Sequence, residues 1–244
     1  MERKMRLSNR LETVASFVAK GSIVADVGTD HGYIPICLVE REISPAAIGM
    51  DVRKGPLERA VEHILEHGLE KVIDVRLGDG LEKLEPGEAD TVVIAGMGGE
   101  LIIHILDGGR RLWDSVRDWI LSPQSDLEKV RLFLWENGFE AEAEAMVEED
   151  GKYYTVMKCR RSLAPRSVPA LSLLEQRYGR MLLQEGSPVL RAYLEQEIRQ
   201  LCAVRERLLA SGTEKARKRL KEVEEELNTA KEAYDEVQRN YQDS

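Results

Sequence analysis

The sequence predicts a doubly wound α/β domain followed by a separate helical region, and three observations support that fold class. Between about residues 23 and 159 short apolar runs alternate with amphipathic stretches, the pattern of βαβ units around a mostly parallel sheet. Carboxylates and glycines gather where the apolar runs stop, at residues 26–32, 51, 79–80 and 96–99. Beyond Pro169 the strand pattern ceases, and apolar residues recur every three or four positions instead.

Taken in order, the apolar runs 23–27, 47–52, 72–77, 91–95, 119–122, 140–147 and 153–158 supply seven strands. Apolar spacing places helices over 9–19, 33–41, 56–66, 100–106 and 127–137. Ser125 and Asp126 offer caps for the last of these, and Gly138 terminates it. Only Glu148-Glu149-Asp150-Gly151-Lys152 separates the final two strands. That is too short for a crossover helix and right for a hairpin, so one strand runs antiparallel.

Pro165 and Pro169 bracket a linker over 162–169 and divide the chain into a domain of residues 1–161 and a helical domain of residues 170–244. Ser187-Pro188 opens a helix that presents Leu190, Leu194, Ile198, Leu201, Val204 and Leu208, and Ser211-Gly212-Thr213 reverses the chain. After Ala216, residues Leu220, Val223, Leu227, Ala230, Tyr234, Val237 and Tyr241 alternate by three and four, the seam of an antiparallel coiled coil.

The chain has 244 residues, 43% of them hydrophobic, enough for a full core. Its formal net charge is −9, which disfavours a polyanionic partner at long range. The acidity is uneven. Residues 161–244 carry 15 Lys+Arg against 14 Asp+Glu, leaving 20 against 30, or −10, for residues 1–160. Cys37, Cys159 and Cys202 are far apart with no Cys-x-x-Cys pair or His cluster beside them, so neither a disulfide framework nor a metal is expected. The charged start and the short apolar stretch 14–18 fit neither a signal peptide nor a membrane span, which places the protein in the cytoplasm.

The chemistry lies in the run Asp26-Val27-Gly28-Thr29-Asp30-His31-Gly32-Tyr33, where glycines flank the turn from first strand to helix and let a ligand approach the backbone. A dinucleotide loop needs Gly-x-Gly-x-x-Gly, but Asp30 stands at the middle position and would repel a pyrophosphate. S-adenosylmethionine has no phosphate; it presents an ammonium and a sulfonium, which carboxylates at 26 and 30 attract. Asp51 ends the second strand, 23 residues after Gly28, where it can accept the ribose hydroxyls; Asp79 before Gly80 can hold the adenine amino group. One such Asp is commonly a turn residue, but three at consecutive strand ends point to a site. Gly96-Met97-Gly98-Gly99 ends the fourth strand as the floor for methyl transfer, and Ser122-Pro123-Gln124 forms the opposite wall. His31 has no second His or Cys beside it as a metal site would need, and a role in the loop's structure fits it best.

Five parallel strands closed by a hairpin resemble the class I methyltransferase fold, a Rossmann-like seven-stranded sheet. At the residue level Arg6-Leu7-Ser8-Asn9-Arg10-Leu11, the run 26–35, residues 95–100 and residues 122–125 resemble the bacterial TrmK family, over nearly the whole chain. The resemblance implies an S-adenosylmethionine-dependent methyltransferase acting on N1 of adenosine 22 in transfer RNA. The residues it implies at the cofactor are Asp26, Gly28, Asp30, His31, Gly32, Asp51, Val52, Asp79 and Gly80, with Gly96 and Met97 at the methyl end. Asn9, Arg10 and Tyr33 border the base pocket, and with Asp30, Gly96 and Met97 complete the catalytic set.

The N1 atom of adenine is an unprotonated lone pair at neutral pH, so positioning rather than a strong base should govern the rate. The base must leave its stack and find a new one on Tyr33 or Met97. Two basic clusters can meet phosphates: Arg3, Lys4, Arg6 and Arg10, and Lys215, Arg217, Lys218, Arg219 and Lys221. Glu222, Glu224, Glu225 and Glu226 also balance the second as an ordinary solvated helix face. A methyltransferase of a small molecule or protein, and a silent RNA-binding module, are the competing classes. A monomer or weak dimer is expected, with neither membrane nor metal.

Overall fold

The computed structural model describes residues 5–162, 169–211 and 213–242, in two compact units, Met1–Pro169 and Ala170–Ser244. Arg3 and Lys4 of the first basic cluster, and most of the expected linker, lie outside the described residues.

The first unit contains a seven-stranded sheet: β1 (Val24–Val27), β2 (Ala47–Asp51), β3 (Ile73–Leu77), β4 (Thr91–Met97), β5 (Asp118–Pro123), β6 (Phe139–Glu149) and β7 (Lys152–Arg161). Their spatial order is β3-β2-β1-β4-β5-β7-β6. Only β7 is reversed, pairing antiparallel with both β5 and β6. The hairpin folds so that β7, not β6, joins β5. Asp150 and Gly151, with φ of 52° and 73°, make its tip, the two left-handed residues that a twisted two-residue turn requires.

The side-chain period of two sorts each strand between two faces. Ala25, Val27, Val92, Ile94, Trp119 and Leu121 point to one core, completed by α4 (Gly99–Gly108) and α5 (Leu127–Glu136). Val24, Val93 and Ile120 point to the other, packed by α1 (Asn9–Ser16) and α2 (Tyr33–Glu40). The helix α3 (Lys54–Glu66) packs Ile64 with Ile36, Ala47 and Ile73. Among the described residues of this unit the seven strands and the helices α1 to α5 fall where the apolar pattern puts them, with ends differing by a few residues, while short 3-10 turns at Asp30–Gly32 and Arg110–Leu112 were not expected.

Two local expectations change. The first helix stops at Ser16, with Phe17 as its C-cap, rather than running to residue 19. Asp126 occupies the N-cap of α5 in a left-handed conformation but its side chain makes no cap; it accepts the Ser125 hydroxyl at 2.7 Å and pairs with Lys129.

The second unit comprises α6 (Leu173–Tyr178), α7 (Arg180–Gln184), α8 (Pro188–Ser211) and α9 (Glu214–Gln242). A capping box between Ser172 and Glu175 starts α6, and the Ser187 hydroxyl accepts the Leu190 N–H at the start of α8. Tyr234 O–H donates to Glu195 and Arg191 meets Gln238, so α8 and α9 run antiparallel. Of the expected seam residues, Val223, Leu227, Ala230 and Val237 are buried. Ala233 is buried while Tyr234 is only half-buried, and Tyr241 is 46% exposed. With 3.6 residues per turn, a straight helix drifts off a strict three-four alternation.

Candidate active site

In this sheet the chain leaves β1 toward β2 and β3 on one side, and leaves β4 toward β5 on the other. The carboxyl ends of β1 and β4 therefore part, and an α/β sheet opens a crevice where its strand order reverses. A cavity of about 350 Å³ lies there, lined from β1 by Asp26 and Gly28, from β2 by Asp51, from β4 by Ala95, Gly96 and Met97, and after β5 by Gln124. That volume suits a small ligand.

After Val27 the chain folds back on β2, where the N–H groups of Gly28 and Thr29 both donate to the Met50 carbonyl at 2.7 and 3.0 Å. Gly28 has φ of 78°, and a Cβ there would stand 2.1 Å from the Met97 methyl carbon. The glycine thus provides both the turn and the clearance for Met97. His31 adopts φ of 62°, rare for a residue with a side chain. The His63 Nδ1–H donates to the His31 carbonyl at 2.9 Å, and the His31, Tyr33 and His63 rings stack with centroids 5.1 to 5.8 Å apart.

The acids divide by environment. Asp26 and Asp51 are buried at the strand ends, and Asp51 accepts the Arg53 N–H at 2.8 Å. Burial chiefly, with the nearby Asp51 charge, pushes the Asp26 carboxyl up to about 6. Asp30 lines the cavity, but its side chain is 53% exposed and accepts Arg59 Nη2 at 2.9 Å. The sequence made Asp30 the decisive charge; in the folded chain it is shared with Arg59, and Asp26 is the carboxylate that a cation would most relieve.

At Gly96 the β4–β5 register shifts, a bulge that turns the end of β4. Gly96 has φ of 80°, and a Cβ there would lie 3.4 Å from Arg10 Nη1 and 3.9 Å from Gln124 Nε2. Gly98 and Gly99 serve packing instead: their Cβ positions face Ser125 and Asp126, and the Gly99 N–H donates to the Ser125 carbonyl at 3.1 Å. Of that run only Gly96 and Met97 line the cavity.

Of the residues expected at the site, Arg10, Asp26, Gly28, Asp30, His31, Tyr33, Asp51, Gly96 and Met97 meet around this cavity. Asn9, Gly32, Val52, Asp79 and Gly80 do not line it. Asn9 is exposed at the start of α1, and Gly32 is the buried left-handed N-cap of α2. Val52 is 61% exposed just beyond β2, Asp79 is exposed beyond β3, and Gly80 backs onto Ile105. Leu11, Ile34 and Arg53 line the cavity without having been singled out. Leu11 and Ile34 look like ordinary core positions of amphipathic helices, and Arg53 has no signal beyond following Asp51. Among the described residues no group of three or more His, Cys, Asp or Glu could hold a metal, and no helix is long and apolar enough to cross a membrane.

This sheet order and switch-point cavity define a Rossmann-like methyltransferase, and residues 7–157 match the Methyltransferase domain family. The chain is 33% identical over 234 residues to the tRNA (adenine(22)-N(1))-methyltransferase of Bacillus subtilis, covering 95% of this chain and 98% of that protein. A Streptococcus pneumoniae protein crystallised with S-adenosyl-L-methionine superposes with a TM-score of 0.82 at 35% identity, covering 94% of this chain and all of that one. Mycoplasma capricolum TrmK, solved with S-adenosyl-homocysteine, superposes at 0.81 with 25% identity, covering 95% and 99%. The chain belongs to the TrmK family.

Proposed function

We propose that this protein transfers a methyl group from S-adenosylmethionine to N1 of adenosine 22 in transfer RNA. The supporting observation is kinship along 95% of the chain with an enzyme named for that reaction, on a chain that has a switch-point cavity lined by Asp26, Asp30 and Asp51. The residues present fit the cofactor. Asp26 is a buried carboxylate in need of a cation, Gly28 and Gly96 leave backbone bare where a side chain would intrude, and Asp51 stands at the second strand end for ribose hydroxyls. Val52, exposed beside it, offers an apolar face to the adenine ring, with Asp79 and Gly80 on the adjoining rim.

When bound, the cofactor supplies a methyl group on a positively charged sulfur, open to displacement by the adenine N1 lone pair. The protein's own task is placement, and orienting two reactants can supply on the order of 7 to 11 kcal/mol. Tyr33, held flat against His31 and His63, provides the stacking face for the extruded base, a step that costs on the order of a few kcal/mol. Met97 borders the methyl end, and Asp30 stabilises the charge the ring acquires. We assign residues 1–161 to cofactor binding and catalysis and residues 170–244 to a helical domain. The exposed Arg6 and the lysines 215, 218 and 221 are available to phosphates. The protein acts in the cytoplasm as a monomer or weak dimer.

Incubation with labelled S-adenosylmethionine and unmodified transfer RNA, followed by mass mapping, tests this directly. Label is expected on one adenosine, at position 22. Absence of transfer to RNA under conditions where the cofactor binds would overturn the proposal.

A further inference from the structure

Gln124 lines the cavity immediately after β5, in the run Ser122-Pro123-Gln124. Its backbone N–H donates to the Met97 carbonyl at 2.8 Å, which ties it to the end of β4. From there its side chain reaches over Gly96, with Nε2 3.9 Å from where a Cβ on that glycine would stand. The residue is exposed, so it stands at the mouth of the cavity, and its carboxamide has no hydrogen-bond partner among the described residues. Other polar groups on the wall are engaged: Asp30 accepts Arg59, and Arg53 rests by Asp51. Among the described residues of the wall Gln124 is the one carboxamide. We infer that Gln124 reads the target base: its side-chain oxygen accepts an N6 hydrogen of adenine while its Nε2–H donates to N7.

Three physical points favour this partner. A carboxamide carries an acceptor and a donor side by side in one plane, and adenine answers with a donor at N6 and an acceptor at N7. Guanine presents two acceptors there, O6 and N7, so the side-chain oxygen of Gln124 would meet another oxygen. Both contacts lie on the purine edge away from N1, so recognition leaves the reacting lone pair free toward Met97. Methylation at N1 also places a positive charge on the ring, which makes the N6 hydrogens better donors. The bond to the Gln124 oxygen therefore strengthens as the methyl moves, and the neutral side chain brings no opposing charge to the ring.

The inference rests on the proposed reaction at adenosine 22, and one set of rates distinguishes the two. Transfer RNAs carrying adenosine, purine riboside or 7-deazaadenosine at position 22 are methylated by the full chain and by Gln124→Leu and Gln124→Glu variants, and kcat/KM is compared. Purine riboside lacks the N6 amino group, 7-deazaadenosine lacks the N7 acceptor, and both keep N1. Differences in N1 reactivity are common to all three proteins, so they cancel when the preference of a variant is divided by that of the unmodified chain. Gln124→Leu should lower the preference for adenosine over each analogue by about 3- to 10-fold, the range for one net hydrogen bond. Gln124→Glu should keep the preference over purine riboside, because a carboxylate still accepts from N6, and shift toward 7-deazaadenosine, because it cannot donate to N7. Preferences unchanged in Gln124→Leu overturn the inference and leave the reaction standing. Failure of the unmodified protein to methylate adenosine 22 while it binds S-adenosylmethionine overturns the proposed reaction and this inference with it.

Discussion

Asp26 costs the free protein stability. Its carboxyl is raised to about 6 from an ordinary 3.8, so the folded chain holds a proton that the unfolded chain has already released between those values. Stability from this group is therefore lost as pH rises from about 4 to about 6, amounting to about 3 kcal/mol at neutral pH. A bound ammonium reverses that penalty. S-adenosylmethionine should bind more tightly as pH rises from 5 to 7, by up to about tenfold per unit below 6, and level off above; calorimetric titration across that range measures it. Asp26→Asn should flatten the profile, weaken binding at pH 7 and raise the melting temperature of the free protein. A profile unchanged by that substitution would remove Asp26 from the site. Gly28→Ala makes a second test, because the new Cβ forces left-handed strain of about 1 kcal/mol and drives the Met97 methyl from its place 2.1 Å away. Cofactor affinity should fall by about tenfold or more, and Gly28→Ala/Met97→Ala should recover part of it.

Elements in this protein are joined by a few buried polar contacts that the apolar pattern does not announce. Arg131 on α5 donates to Glu144 on β6 at 3.0 Å, with side chains 6% and 1% exposed. Breaking a buried pair leaves one charge stranded, so Arg131→Met should cost about 3 to 5 kcal/mol in chemical denaturation. Arg131→Met/Glu144→Met should recover most of that loss, because replacing both partners with apolar groups removes the stranded charge. Equal losses in the single and double variants would show that packing, not charge, is at stake. The same hairpin carries Glu149 and Tyr154, so the β6–β7 ribbon that closes the sheet also holds Arg10 at the cavity wall.

For the molecule as a whole, the cavity draws every lining residue from positions 10 to 124, and the sheet cores run from Val14 to Cys159. A chain ending at residue 169 should therefore fold cooperatively and bind S-adenosylmethionine within about threefold of the full chain, within the error of adding independent sites. Calorimetry on that truncated chain checks the expectation; loss of cofactor binding would mean that the helical region completes the site. Net charge operates at this scale too. With −9 overall, the proposed RNA substrate would have to be held by local basic groups, effective only within a screening length of about 8 Å.

The order of the elements, the strand ends that carry Asp26, Asp51 and Gly96, and the antiparallel pair at residues 140–158 were legible in the sequence, because periodicity and turn chemistry are local properties. The family was legible too, in short runs at the ends of strands. Which charge matters was not. Asp30 reads as the key carboxylate along the chain, yet Arg59, 29 residues away, pairs with it. Gly96 to Gly99 read as one motif, yet the bulge gives the first to the cavity and the packing against Ser125 takes the last. Arg10 reads as part of a basic cluster for RNA, yet a hairpin some 140 residues further on turns it toward Gly96. Burial and charge pairing depend on contacts between distant segments, so only the tertiary structure decides which of the visible residues face the ligand and in what charge state.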